Sequence, residues 1–295
     1  MVSHHQQTVL ILTAVFGVAS ICLMILRLAF RKCRGQDLYW SDYLTIVAIL
    51  CAVARIAIVP VVILWHSHHE VEQQGLTETE IYQYKLAAKL LIANRLIYNT
   101  YLWIQKAVIL LLFHQMFACL LAAKRLMRII WAVLLLSYVV VQVVCFVDCI
   151  PTRLYWQILP SRDDCTQAII QLATFVALNM ATDIVLIIFP MPWICSLKQY
   201  PLKRRAGLIG IFSLGIVLTV VALIRLPAYN NSTSQFRRYI WGSVEQFGAA
   251  LVANIPTLYS LRKRTAPGDA ASVSTRSKFP KQSQTEQNRS QRYET

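Results

Sequence analysis

Five ionisable residues stand inside long apolar runs of this chain: Arg55, Lys106, Asp183, Arg225 and Glu245. A charge at the centre of a membrane-spanning helix costs roughly 2.5–3.5 kcal/mol or more, so such residues face the bundle interior, pair with one another, or line a polar path. At a rise of about 1.5 Å per residue, Arg225 and Glu245 both lie within about 8 Å of the same end of their helices, which lets them pair across adjacent spans. Asp183 and Asn254 share a depth near the opposite end, and Lys106, near the middle of its run, can extend its four-carbon stem toward both. Two readings stay open. In one, the pairs only fix helix packing and register; in the other, they form a switch or a polar cavity.

Other candidates are less specific. Asn254, Pro256 and Tyr259 stand near the end of the last apolar run, where proline removes a backbone donor and can hinge a helix. His66, His68, His69 and Glu70 form a compact group suited to a metal or to sensing pH near 6.5, but no ligand geometry is defined, and a hydrated interfacial loop is the plainer reading. Cys33, Cys119 and Cys195 fall at span boundaries, as palmitoylated or unmodified thiols. No Cys/His spacing matches a zinc site, so no metal is expected. Hydrolase motifs, HExxH, nucleotide fingerprints and a phosphate-binding loop with its lysine are all missing from the sequence, which argues against ATP-driven transport.

The elements that must position these residues follow from composition. The 295 residues are 57% hydrophobic and only 15% charged, against about 25% charged in ordinary soluble domains. A span needs roughly 20 mostly apolar residues to cross about 30 Å of hydrocarbon. Seven segments qualify: 8–28, 42–65, 96–117, 127–149, 168–190, 206–227 and 240–261. The third is preceded by helical composition from about Ile81, carrying Lys85, Lys89 and Arg95, and should project beyond the membrane. Pro190 and Pro192 end the fifth. The expected fold is all-α: a polytopic seven-transmembrane helix bundle spanning 8–264, with a short outer amino terminus at 1–7 and a tail at 265–295.

Orientation comes from the connections. Arg31, Lys32, Arg34, Lys124, Arg125, Arg128, Lys198, Lys203, Arg204, Arg205, Arg262, Lys263 and Arg264 lie on one side, against Arg153, Arg162, Arg237 and Arg238 on the other. The basic side is expected to be cytoplasmic, placing the amino terminus outside. The net charge of +15 is therefore membrane topology, with no nucleic-acid partner implied. Met1 to Gln7 lack the positive region of a cleaved signal, so the first run is read as a retained span. On the outer side lie overlapping sequons at Asn230 and Asn231, completed by Ser232 and Thr233, as glycosylation candidates. A further sequon, Asn288 to Ser290, sits on the other side. Cys149 and Cys165 flank the fourth-to-fifth loop in the same oxidising compartment, and are read either as a disulfide or as two separate thiols. The Ser-, Thr-, Gln- and Lys-rich residues after Thr265 cannot bury enough surface to fold, and a disordered basic tail is expected.

Arg27 with Trp40, Ser41 and Asp42; the run from Lys106 to Phe117; Cys149, Pro151, Trp156 and Cys165; Asn179, Asp183, Pro190, Leu197 and Lys203; then Phe212, Gly215, Arg225, Trp241, Glu245 and Pro256 occur in this order. In them the sequence resembles the fungal rhodopsin-like domain family of seven-span integral membrane proteins, over roughly residues 10 to 260. The family usually shows tryptophan followed by two acids before the second span, so Ser41 is a departure. The resemblance implies a membrane protein of filamentous fungi. Some relatives look like surface-sensing receptors, and others, of the satratoxin type, are encoded within secondary-metabolite gene clusters. No cysteine-rich extracellular module is present in this sequence, which moves weight toward the cluster-associated type. A retinal cofactor is not expected, because a Schiff-base lysine would stand in the last span and 240–261 contains none.

Three functions follow as expectations. The first is a receptor-like or accessory protein of a plasma membrane or endomembrane, relaying a hydrophobic small-molecule ligand to a cytoplasmic signalling or biosynthetic partner. The second is a membrane-embedded enzyme or carrier for a hydrophobic metabolite, with Asp183 and Glu245 as acid and base or as substrate contacts. The third is an assembly scaffold, whose partner is the lipid bilayer and its neighbours in it.

Overall fold

The computed structural model describes residues 4–35, 37–67, 78–116, 121–147, 169–192 and 234–263. Among these residues there are six long helices and no strand: α1 His4–Cys33, α2 Trp40–Ser67, α3 Glu78–Met116, α4 Leu121–Val147, α5 Ile169–Ile188 and α6 Ser234–Lys263. Five of them, α1 to α5, contain stretches long and apolar enough to cross a bilayer. They coincide with the first five expected spans. The expected sixth span, 206–227, lies outside the described residues, and the expected seventh falls within α6. This last helix is less apolar than the others because Ser243, Glu245, Gln246, Asn254 and Thr257 are all polar and all buried on it.

Local chemistry sets the turn between the first two helices. After α1 the chain reaches Gly35 at φ 60°, and the N–H groups of Arg34 and Gly35 return to the carbonyls of Arg31 and Lys32 at 3.1 and 3.0 Å. A left-handed glycine closes orphan carbonyls in this way without the Cβ clash another residue would meet. In the first turn of the next helix, the Asp42 carboxylate accepts the Tyr39 N–H at 3.0 Å while the Asp42 N–H donates to the Tyr39 carbonyl at 2.8 Å. The carboxylate thus makes the backward-reaching half of a capping box, and it fixes where α2 starts.

The described residues up to Leu258 form one compact unit. Within it α1 packs on α2, α2 along α3, α3 on α4 and α5, and α4 on α5. The apolar window of α3 is 61% buried, against 28% to 39% for the other four, which makes α3 the central helix. At 39 residues it is about 58 Å long, so it extends well past a hydrocarbon core of about 30 Å. Where α1 meets α2, Gly17 allows close approach: a Cβ there would stand 2.7 Å from Ile56. The rim of the bundle is apolar, with Ile11, Leu50, Leu135, Leu136 and Ile170 each more than 60% exposed. Lipid is the solvent that such a surface requires.

Candidate functional site

The polar residues of the interior join into a chain that crosses four helices. Lys106, on α3 and 5% exposed, donates to the Asn179 carbonyl at 2.7 Å, to Thr182 Oγ1 at 2.7 Å and to Asp183 Oδ1 at 2.8 Å, all on α5. An ammonium has three protons, and each has an acceptor here. The same Asn179 donates from Nδ2 to Glu245 Oε1 of α6 at 2.7 Å, and Tyr98 Oη of α3 donates to Glu245 Oε2. The Tyr98 ring then carries the Arg55 guanidinium of α2, 4.2 Å from its centroid, and Arg55 donates to Gln246 Oε1 at 2.9 Å. Tyr101 Oη closes the path on the Gln246 carbonyl at 3.2 Å.

Two cations and two anions, Arg55, Lys106, Asp183 and Glu245, thus sit in one connected network of hydrogen bonds, in which Asn179 Oδ1 and Gln246 Nε2 are buried without a hydrogen-bond partner. Aromatic rings wall it in. Trp103 lies 5.3 Å from Lys106 Nζ, and Phe175 tilts against both Trp103 and Tyr98, at 6.1 and 5.5 Å between centroids. Gly242 leaves the room that Arg55 fills, since a Cβ there would come within 3.0 Å of its Nη2.

A second cluster lies by the α1–α2 turn. Asp42, 0% exposed, faces two arginines of α1: Arg27 Nη2 at 3.5 Å from Oδ1, and Arg31, which is bonded to Oδ2. Arg27 also donates to Ser41 Oγ at 3.1 Å, and to Asn254 Oδ1 and the Ala253 carbonyl of α6 at 3.1 and 3.4 Å. Asn254 Nδ2 returns to the Ala250 carbonyl at 2.7 Å. Pro256, inside α6, lacks the N–H that would have bonded one carbonyl of this turn.

Not every expected partner is the observed one. Lys106 and Asp183 meet. Asn254, expected to share their site, is instead the α6 partner of Arg27. Among the described residues Glu245 binds Tyr98 and Asn179; its expected partner Arg225 lies outside them, as do Cys149, Cys165, Asn230, Asn231, Cys119, Cys195, His68, His69 and Glu70. The side chains of His66 and Tyr259 are likewise outside them. Cys33 is an exposed thiol at the end of α1, and no metal-binding group of His, Cys, Asp and Glu occurs among the described residues. Asn179 stood among the residues that carry the family resemblance, but reading charges alone missed Tyr98, Thr182 and Gln246, which are neutral and common in helices. Their one signal was position, on the helices that carry the charges.

A core of long helices, apolar toward lipid and linked inside by a desolvated network of charged and amide side chains, defines a multi-pass integral membrane protein whose interior is polar. No curated protein matches the chain. The chain belongs to the fungal rhodopsin domain family, whose model matches residues 26–264. That stretch includes both clusters, from Arg27 to Asn254.

Proposed function

We propose that this protein is a seven-span receptor-like or accessory membrane protein of fungal secondary metabolism, its amino terminus outside and its basic connections in the cytoplasm. The observation that carries the reading is the continuity of the network from Arg55 through Tyr98, Glu245 and Asn179 to Lys106 and Asp183. Four helices share it, so displacing one partner changes the contacts of the rest. A ligand that binds one arrangement more tightly shifts the population of the bundle. The reading is non-retinal: Lys106 spends its three protons on α5, and 240–261 holds no lysine.

The test is a pair of measurements. Spin labels on the ends of α5 and α6 should report a distance change when extract from the producing fungus is added, and the change should vanish in Glu245→Gln at normal surface expression. An unchanged distance under every fraction sinks the relay. A carrier or enzyme acting on a hydrophobic metabolite is the second reading, favoured by a small cavity lined in part by Tyr98. A deletion strain that accumulates one precursor, or retains one product, would select it over the receptor.

A further inference from the structure

The first turns of α4 carry Lys124, Arg125 and Arg128, all exposed. Residues three and four apart share a face of a helix, so Arg128 stands beside both of the others. Among the described residues none of these three side chains has a hydrogen-bond or ion-pair partner. The sequence around them explains why. No Asp or Glu occurs in α4 or in the connection before it, residues 117–120. The helices packed on α4 are α3 and α5. Their acids are Glu78 and Glu80, at the far end of α3, and Asp183, which is held by Lys106. Residues 184–244, which lead away from α5, contain no acid either.

The cations face lipid. Ala123, Met127, Ile130 and Leu134 form the buried side of α4, and Arg125 heads the opposite, exposed stripe of Ile129, Ala132, Leu136, Val139 and Val143, at spacings of four and three. Arg128 stands four residues before Ala132 on the same stripe. The apolar span Ala123–Val147 has 25 residues, so it is about 37 Å long and overruns a hydrocarbon core of about 30 Å. Its other end, Phe146 and Val147, is apolar and exposed, so the overrun falls at the charged end. This sets Arg125 and Arg128 at the level of the lipid phosphates. Half-buried Trp131 stands one turn further in, at the depth where tryptophan marks the interface.

We infer that this ridge binds phosphatidic acid. A phosphomonoester carries up to about two negative charges and three strong acceptor oxygens, which suits two guanidinium forks and an ammonium; a phosphodiester carries one charge. Arg128 lies directly above the acyl-facing stripe, so the headgroup that fits has its phosphomonoester next to the glycerol and not beyond a sugar. The site lies outside the interior network and is independent of the direction in which the chain crosses the bilayer.

The test titrates the full chain, in neutral detergent micelles, with phosphatidic acid, phosphatidylglycerol and phosphatidylinositol 4-phosphate, and reads bound lipid by native mass spectrometry. Phosphatidic acid should bind most tightly of the three. Arg128→Gln should weaken it by about fivefold, and the triple variant Lys124→Gln, Arg125→Gln, Arg128→Gln by about a hundredfold. Arg128→Lys keeps the charge but loses the fork, and should fall between wild type and Arg128→Gln. Lys32→Gln, an exposed change on α1, removes the same charge elsewhere and should leave the affinity unmoved. An unchanged thermal midpoint in the triple variant shows that it is folded.

Equal affinity for phosphatidic acid and phosphatidylglycerol, or full affinity in the folded triple variant, would overturn the site. An equal loss in Lys32→Gln would do so as well, by reducing it to diffuse surface charge. Tighter binding of phosphatidylinositol 4-phosphate would assign the ridge to a headgroup further from the glycerol, against the proposal.

Discussion

The two polar clusters of this bundle solve the same electrostatic problem differently. By the α1–α2 turn, one fully buried carboxylate, Asp42, holds two arginines and reaches α6 through Arg27 and Asn254. In the middle of the bundle, two cations and two anions are spread over four helices and connected through neutral groups. The first concentrates its energy on one residue and cannot rearrange without stranding two guanidinium groups. The second has intermediates, Asn179, Tyr98 and Gln246, through which contacts can be exchanged. A clamp and a relay differ in this respect, and substitutions should separate them.

The largest effect is expected for Asp42→Asn. Removing the one anion from a pair of buried arginines leaves uncompensated charge and should cost about 3–5 kcal/mol, seen as loss of monodisperse protein by fluorescence-detected size exclusion. Normal yield and thermal midpoint would break the clamp assignment.

Next is Lys106→Met, which strands the Asp183 carboxylate, 23% exposed on its side chain, and should lower stability by about 2–4 kcal/mol. The double variant Lys106→Met with Asp183→Leu should recover most of that loss, because neither charge is then left alone. Additive losses would show that the pair is not coupled.

Glu245→Gln is expected to be milder, about 1–2 kcal/mol, since an amide can still accept from Tyr98. Expression at the surface should stay normal while the ligand-dependent distance change disappears. If expression fails as it does for Asp42→Asn, the network is a second clamp. Gly242→Ala should be the smallest, about 0.5–1 kcal/mol, because the atom it meets is the mobile end of Arg55 and not backbone. A measurable change in ligand response with an unchanged thermal midpoint would tie the Arg55 position to signalling.

Much of this was legible in the sequence. A charge inside a run of about 20 apolar residues stands out by hydropathy, and that alone singles out Arg55, Lys106, Asp183 and Glu245. Arg31 shows the limit. It reads as a topological charge at a span end, yet it is 6% exposed and bound to Asp42. Capping chemistry told the same story at Asp42, whose carboxylate serves the start of α2 and the α1 arginines together.

Sequence by itself determined the five apolar spans α1 to α5 and their approximate bounds, because a run of about 20 apolar residues at a rise of about 1.5 Å per residue is what a bilayer requires. Which residues face one another was decided by the tertiary structure alone. Asn254 and Asp183, expected at a matching depth, meet different neighbours, one Arg27 and the other Lys106. The rotation of each helix about its axis is set by how its whole surface packs, and close approaches such as Gly17 on Ile56 exist only once two helices are side by side.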